Sequence, residues 1–210
     1  MKTLKLTGVA LGLFTLLLAF AGAVPPAQAQ SVTPKLSDAY MGISLLSSDV
    51  DANGIDIYDN ETGMAFTIGY EPQPFEAPFL LGGEISFTSY GNETFSGPGY
   101  SAELDLYSWD LTFKPKYYLT DRSYLGPIIG VSYFHTDETD EKASVVDSLS
   151  NYHYVSESDS DIALRFGLEL GYAFTKRLQI KAGIERTQNV SLLGREMDVD
   201  DLYVGVNCYF

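Results

Sequence analysis

Leu164-Arg165-Phe166-Gly167-Leu168-Glu169-Leu170-Gly171-Tyr172 alternates without a break. Leu, Phe, Leu, Leu and Tyr occupy one parity; Arg, Gly, Glu and Gly occupy the other. Side chains of a strand point to opposite faces in turn, so a period of two builds a strand with one apolar face, whereas a helix repeats at three and four. The other parity is the informative one, because it holds only glycines and charges.

Seven further runs share the pattern. Their apolar parities are Ala39, Met41, Ile43, Leu45; Met64, Phe66, Ile68, Tyr70; Phe79, Leu81, Ile85, Phe87; and Tyr107, Trp109, Leu111, Phe113. Then follow Leu125, Ile129, Val131, Tyr133; Leu178, Ile180, Ala182, Ile184; and Leu202, Val204, Val206, Phe210. The opposite parities collect glycines such as Gly42, Gly69, Gly130 and Gly205, with Ser44, Thr112 and Asn207; Gly83 alone breaks the pattern. Glycine weakens strands and packs nothing, so a row of glycines facing water, as a soluble lipocalin-type barrel would require, is a poor design. Turned inward, small residues make room for larger side chains in a narrow barrel while the apolar parity meets lipid. The expected fold is all-β: an eight-stranded antiparallel up-and-down transmembrane β-barrel. Tyr70, Phe79, Tyr117, Tyr118, Tyr124, Tyr172, Phe174 and Tyr209 end the runs and are expected in an interfacial aromatic girdle.

Composition agrees. The 210 residues carry 28 acidic and 13 basic side chains, a net charge of -15, and one cysteine. That balance excludes a general nucleic-acid binder, and one cysteine excludes a disulfide framework or a cysteine-built zinc site. Lys2 and Lys5 precede the apolar run Val9–Ala21, and small residues at Ala27 and Ala29 follow. This is the pattern of a secretory signal peptide over residues 1–29; the run is too short for a membrane anchor. Cleavage after Ala29 would leave residues 30–210 as one barrel domain of 181 residues with a net charge of -17.

The connections alternate in length. Residues 71–78, 115–123 and 175–176 are short, whereas 47–62, 89–101, 136–160 and 188–198 are longer and polar, as in outer-membrane barrels with periplasmic turns and outer loops. The last segment, Asp201-Leu-Tyr-Val-Gly-Val-Asn-Cys-Tyr-Phe210, resembles the C-terminal strand signal of outer-membrane proteins. Ala39-Tyr-Met-Gly-Ile-Ser and Phe66-Thr-Ile-Gly-Tyr-Glu-Pro resemble the first two strands of the OmpA-like eight-strand domain. The similarity is greatest to barrel-only relatives, the OmpX, OmpW and opacity-type proteins, without a soluble peptidoglycan-binding domain. The resemblance implies a monomer in the bacterial outer membrane, in contact with lipid and lipopolysaccharide. It also implies that Phe210, Val206 and Val204 are read by the barrel-assembly machinery. An extracellular ligand is expected but not identified.

The inward parity carries Glu84, Asp110, Lys114, Arg165, Glu169, Lys181 and Glu185, an expected charge network inside the barrel. A three-residue turn at Phe174–Lys176 would set Glu169 opposite Lys181 and Arg165 opposite Glu185. Glu84, Asp110, Glu169 and Lys181 are expected at one height, with Arg165 and Glu185 above. Asp49, Asp51 and Asn53, in Asp-x-Asp-x-Asn-Gly, offer hard oxygen ligands at alternate positions, as calcium loops do. The glutamate that closes such a loop is one residue late, at Glu61, and a solvated acidic loop is the commoner reading. Calcium is the only cofactor the sequence suggests. Barrel lipid A deacylases resemble serine hydrolases with a His-x-Ser-Asn signature. The corresponding His135-Thr-Asp-Glu lacks the serine and the asparagine, and His153 lies in the longest connection. The expected function is therefore non-enzymatic: surface interaction or adhesion through the outer loops, or membrane integrity. A narrow porin-like channel is the alternative, and a lipid-modifying enzyme comes third.

Overall fold

The computed structural model describes residues 39–52, 55–71, 79–97, 100–144 and 151–210. Residues 1–29, expected to be a signal peptide, and residues 30–38 lie outside the described residues. The strands are β1 (Ala39–Ala52), β2 (Ile55–Tyr70), β3 (Phe79–Gly97), β4 (Tyr100–Tyr118), β5 (Ser123–Ser144), β6 (Asn151–Ala173), β7 (Leu178–Leu192) and β8 (Arg195–Tyr209). Each pairs antiparallel with the next, and β8 closes on β1. The seam is completed at its end by Phe210 N–H donating to Ala39 O at 3.2 Å.

Parity sets the two surfaces as the alternation requires. Ile68, Leu111, Ile129 and Leu164 are exposed on the outside, Leu164 by 69%. Their neighbours Thr67, Asp110, Ile128 and Arg165 are buried inside. Exposed apolar side chains in such numbers are costly in water and favourable against acyl chains.

Glycine placement explains how a narrow lumen accepts large rings. A Cβ on Gly69 would run into the Tyr40 ring, and one on Gly171 into the Tyr124 ring. Each tyrosine lies over the glycine of an adjoining strand, and both are fully buried.

Three expectations are corrected. The segments taken as long outer loops are largely strand: β2 starts at Ile55, β3 runs to Gly97, and β5 and β6 extend to Ser144 and from Asn151. Above the lipid band the outward face meets water, so the apolar alternation fades while the backbone ladder continues. Second, Tyr124 and Tyr209 point inward, and Tyr118 packs on Tyr124 with ring centroids 5.7 Å apart. The outward girdle at this end includes Tyr70, Tyr117 and Phe174, with Tyr172 against Phe174; the Phe79 side chain lies outside the described residues. Third, the β6–β7 turn has four residues, Phe174–Arg177, so Glu169 lies opposite Gly183 and Arg165 opposite Thr187. One added turn residue, with the strand end moved by one, displaces the register by two positions and keeps every side chain on its face.

Candidate functional site: a filled lumen and an acidic outer rim

The inward charges form two layers. In the lower one, Lys114 Nζ lies 2.6 Å from Glu84 Oε2 and 3.0 Å from Glu169 Oε2. Lys181 Nζ lies 3.4 Å from Glu84 and 3.8 Å from Glu169, so the Lys181–Glu169 pair forms diagonally across the ladder. Lys116 pairs with Glu71 and sits 4.3 Å from the centroid of the Tyr124 ring. Tyrosines complete the carboxylates: Tyr40 donates to Glu84 at 2.5 Å, while Tyr124 and Tyr203 donate to Glu169 at 2.7 and 2.6 Å. Three lysines therefore face three glutamates, which is the neutral, hydrogen-bonded arrangement that a buried ion cluster needs.

Arg165 organises the upper layer. Its Nη1 lies 3.1 Å from Asp110 and 3.0 Å from Glu185, and its Nη2 lies 3.3 Å from Asp201. Nη2 also donates to Tyr90 Oη at 2.5 Å, and Nε donates to Thr187 Oγ1 at 3.2 Å. One guanidinium from β6 thus ties β3, β4, β7 and β8 together, using the planar fork that distinguishes arginine from lysine. Asp110 also accepts from Thr88 and Ser108, each at 2.9 Å, and Asp201 accepts from Ser48 at 2.6 Å. Above this layer the interior turns apolar: Val50, Tyr90, Leu106, Phe134, Val190, Met197 and Val199 form one buried cluster. From the turns to the outer mouth the lumen is occupied by tyrosines, ion pairs and this apolar cap.

All seven inward charges expected from parity do face inward, but their layering differs. Asp110 belongs with Arg165 rather than beside Glu84, because strands in a barrel tilt and stagger and residue counting along one strand does not give height. Glu71, Lys116 and Asp201 were missed. Pro115 interrupts the fourth run and hides Lys116, which continues the Lys114 parity, while Glu71 follows the last alternating residue of the second run, at the start of a connection.

The other candidates fall on the outside. Asp49 and Asp51 belong to β1 rather than to a loop, opposite Asp200 and Asp198 of β8. Asn53 lies outside the described residues, and no three His, Cys, Asp or Glu side chains converge as a metal site among those described. Arg186 reaches Asp198 at 2.7 Å and Asp200 at 3.3 Å. Burial pushes the Asp198 carboxyl upward, but hydrogen bonds from Arg186 and the Asn189 N–H outweigh it and hold it below the usual range. Asp200 is raised by burial, and by Asp198, Asp49 and Asp51, against the pull of Arg186. His135 lies 3.5 Å from Asp137, and its ring packs on Tyr107 at 5.0 Å. Val204 and Val206 are half-exposed on the lipid parity and Phe210 is exposed.

A closed eight-strand barrel with an apolar outer face and a polar, filled interior is an integral outer-membrane protein. The chain belongs to the outer membrane protein beta-barrel domain family, which matches residues 14–210, and it resides in the bacterial outer membrane. Among solved structures it is similar to Ail, the attachment invasion locus protein of Yersinia pestis, at 18% identity and a TM-score of 0.57, over 83% of this chain and 100% of that one. It is also similar to Neisserial surface protein A, at 16% identity and a TM-score of 0.55, over 83% and 98%. At such identities the likeness carries the fold alone. No curated protein sequence matches the chain.

Proposed function

We propose that this barrel works at the cell surface through the part that stands above the lipid band, in surface interaction or adhesion and in support of the membrane. The observation that carries this is the charge distribution. Residues 49–61, 93–105, 137–161 and 186–200, sequence ranges that include the strand ends above the lipid band, hold nineteen acidic and three basic side chains. Inside the band, by contrast, three lysines match three glutamates in the lower layer, and Arg165 binds three carboxylates in the upper one. The similar protein Ail has been crystallised with a heparin analogue, sucrose octasulfate. A sulfated anion is the wrong partner for the outer segments of this chain, whose field favours cationic polypeptides and, in competition with them, calcium.

Binding to the folded barrel in nanodiscs tests this. A lysine-rich peptide should bind at low ionic strength, weaken with salt and with added calcium, and weaken further when residues 137–159 are replaced by a short turn that spares Asp161. Tight heparin binding with no peptide binding would overturn the reading. On the channel reading the inward charges would line an ion pathway; its support would be large, steady currents in planar bilayers, and the packed lumen leads us to expect little or none.

A further inference from the structure

Two turns at the short-turn end of the barrel are copies of one another. Leu119-Thr120-Asp121-Arg122 joins β4 to β5, and Phe174-Thr175-Lys176-Arg177 joins β6 to β7. In the first, Thr120 Oγ1 accepts the N–H groups of Arg122 and Ser123 at 3.2 and 3.0 Å. In the second, Thr175 Oγ1 accepts those of Arg177 and Leu178 at 3.1 and 3.0 Å. Leu119 and Phe174 each donate an N–H to the carbonyl four residues on, at 2.9 Å in both turns. Each arginine carbonyl then accepts an N–H from the end of another strand: Ala173 to Arg122 at 2.7 Å, and Tyr209 to Arg177 at 2.9 Å. The turns are neighbours, since Ser123 pairs with Tyr172.

With these backbone groups used internally, each turn presents a large exposed apolar side chain and, three residues later, an exposed arginine. Leu119 and Phe174 continue the outward parities of Tyr117 and Tyr172, so they lie at the foot of the lipid-facing band. The arginines, with Lys176, follow these side chains in the turns and are exposed beyond the end of that band.

We propose that this duplicated turn binds the phosphate groups of inner-leaflet phospholipids. Leu119 and Phe174 anchor at the acyl boundary, and Arg122 and Arg177 grip the headgroup phosphates with their planar donor sets. Peptidoglycan carboxylates are the other anions on that side of the membrane. The two exposed apolar side chains favour lipid, because a site directed at a polymer in water has no use for them. Asp121 opposes its neighbouring arginine, whereas Lys176 reinforces Arg177, which makes the second turn the stronger half.

Native mass spectrometry of barrels released from mixed phosphatidylglycerol and phosphatidylcholine tests the proposal. The parent should retain phosphatidylglycerol preferentially. Arg122→Gln with Arg177→Gln should lower that retention by about fivefold for each arginine, the worth of one basic side chain near an anionic surface. The double lysine variant should keep part of it, and Arg195→Gln, at the outer end, should keep all of it. Gel migration before and after heating reports folding, and Arg177→Gln alone serves if the double variant fails to fold. Equal retention by the parent and the folded arginine variant would overturn the proposal. So would unchanged lipid retention with lost co-sedimentation on purified peptidoglycan sacculi, which would assign the turns to that polymer.

Discussion

Tyr124 donates its hydroxyl to Glu169 at 2.7 Å from an adjacent strand, across the backbone of Gly171. The lumen's charge network and its glycine row are therefore one construction. The ring can lie flat enough to reach Glu169 only because position 171 has no side chain.

Gly171→Val should accordingly displace the Tyr124 ring and loosen its bond to Glu169. Overpacking of this kind costs about 1–3 kcal/mol. Urea unfolding in lipid vesicles, followed by tyrosine and tryptophan fluorescence, should show a lower midpoint. Gly83→Val, on the lipid face where a Cβ would meet only Thr112 O at 3.9 Å, should leave the midpoint near the parent value.

Lys116 and Glu71 are both buried and bonded to one another. Lys116→Met should cost about 3–5 kcal/mol, because it strands a carboxylate inside the barrel, and adding Glu71→Leu should recover most of that loss. Equal instability of the single and double variants in the same unfolding assay would show that the lower layer does not act through this pair.

At the outer end, Asp200 has its pKa raised on folding. A raised carboxyl binds its proton more readily in the folded chain, so it opposes folding above its folded pKa and ceases to do so as the pH falls through it. Asp200→Asn should stabilise the barrel slightly at neutral pH, by roughly 0.2–1 kcal/mol for an exposed group, with the gain vanishing in acid. Asp198, held low, behaves in the opposite sense: Asp198→Asn should destabilise at neutral pH and be silent in strong acid. Unfolding midpoints compared at neutral and acidic pH check both signs.

Phe210 projects outward while its backbone closes the seam on Ala39. If the assembly machinery reads this end of β8, deletion of Phe210 should lower the amount of folded barrel in outer membranes and leave export across the inner membrane intact. Membrane fractionation at low expression, with heat-dependent gel migration, measures it; an undiminished folded fraction would count against the assembly role.

The alternation of Leu164–Tyr172 and its seven counterparts was enough to determine strand number, the two faces within the lipid band and seven of the inward charges, though not Glu71, Lys116 or Asp201. Period-two patterning is a local property, enforced wherever one face meets lipid. What faces what was settled only by the tertiary structure. The four-residue turn Phe174–Arg177 moved Glu169 from Lys181 to Gly183, and barrel stagger carried Asp110 up to Arg165. Tyr124 and Tyr209 turned inward, although their places near run ends suggested the girdle: Gly171 on the adjoining strand leaves room for the Tyr124 ring, and the Tyr209 hydroxyl donates to Glu71 and Gln179 inside the barrel. Above the band, with water outside, the strands kept their ladders without keeping their apolar signature. Register, height and the partners of buried charges depend on turn length and shear, which no single strand encodes.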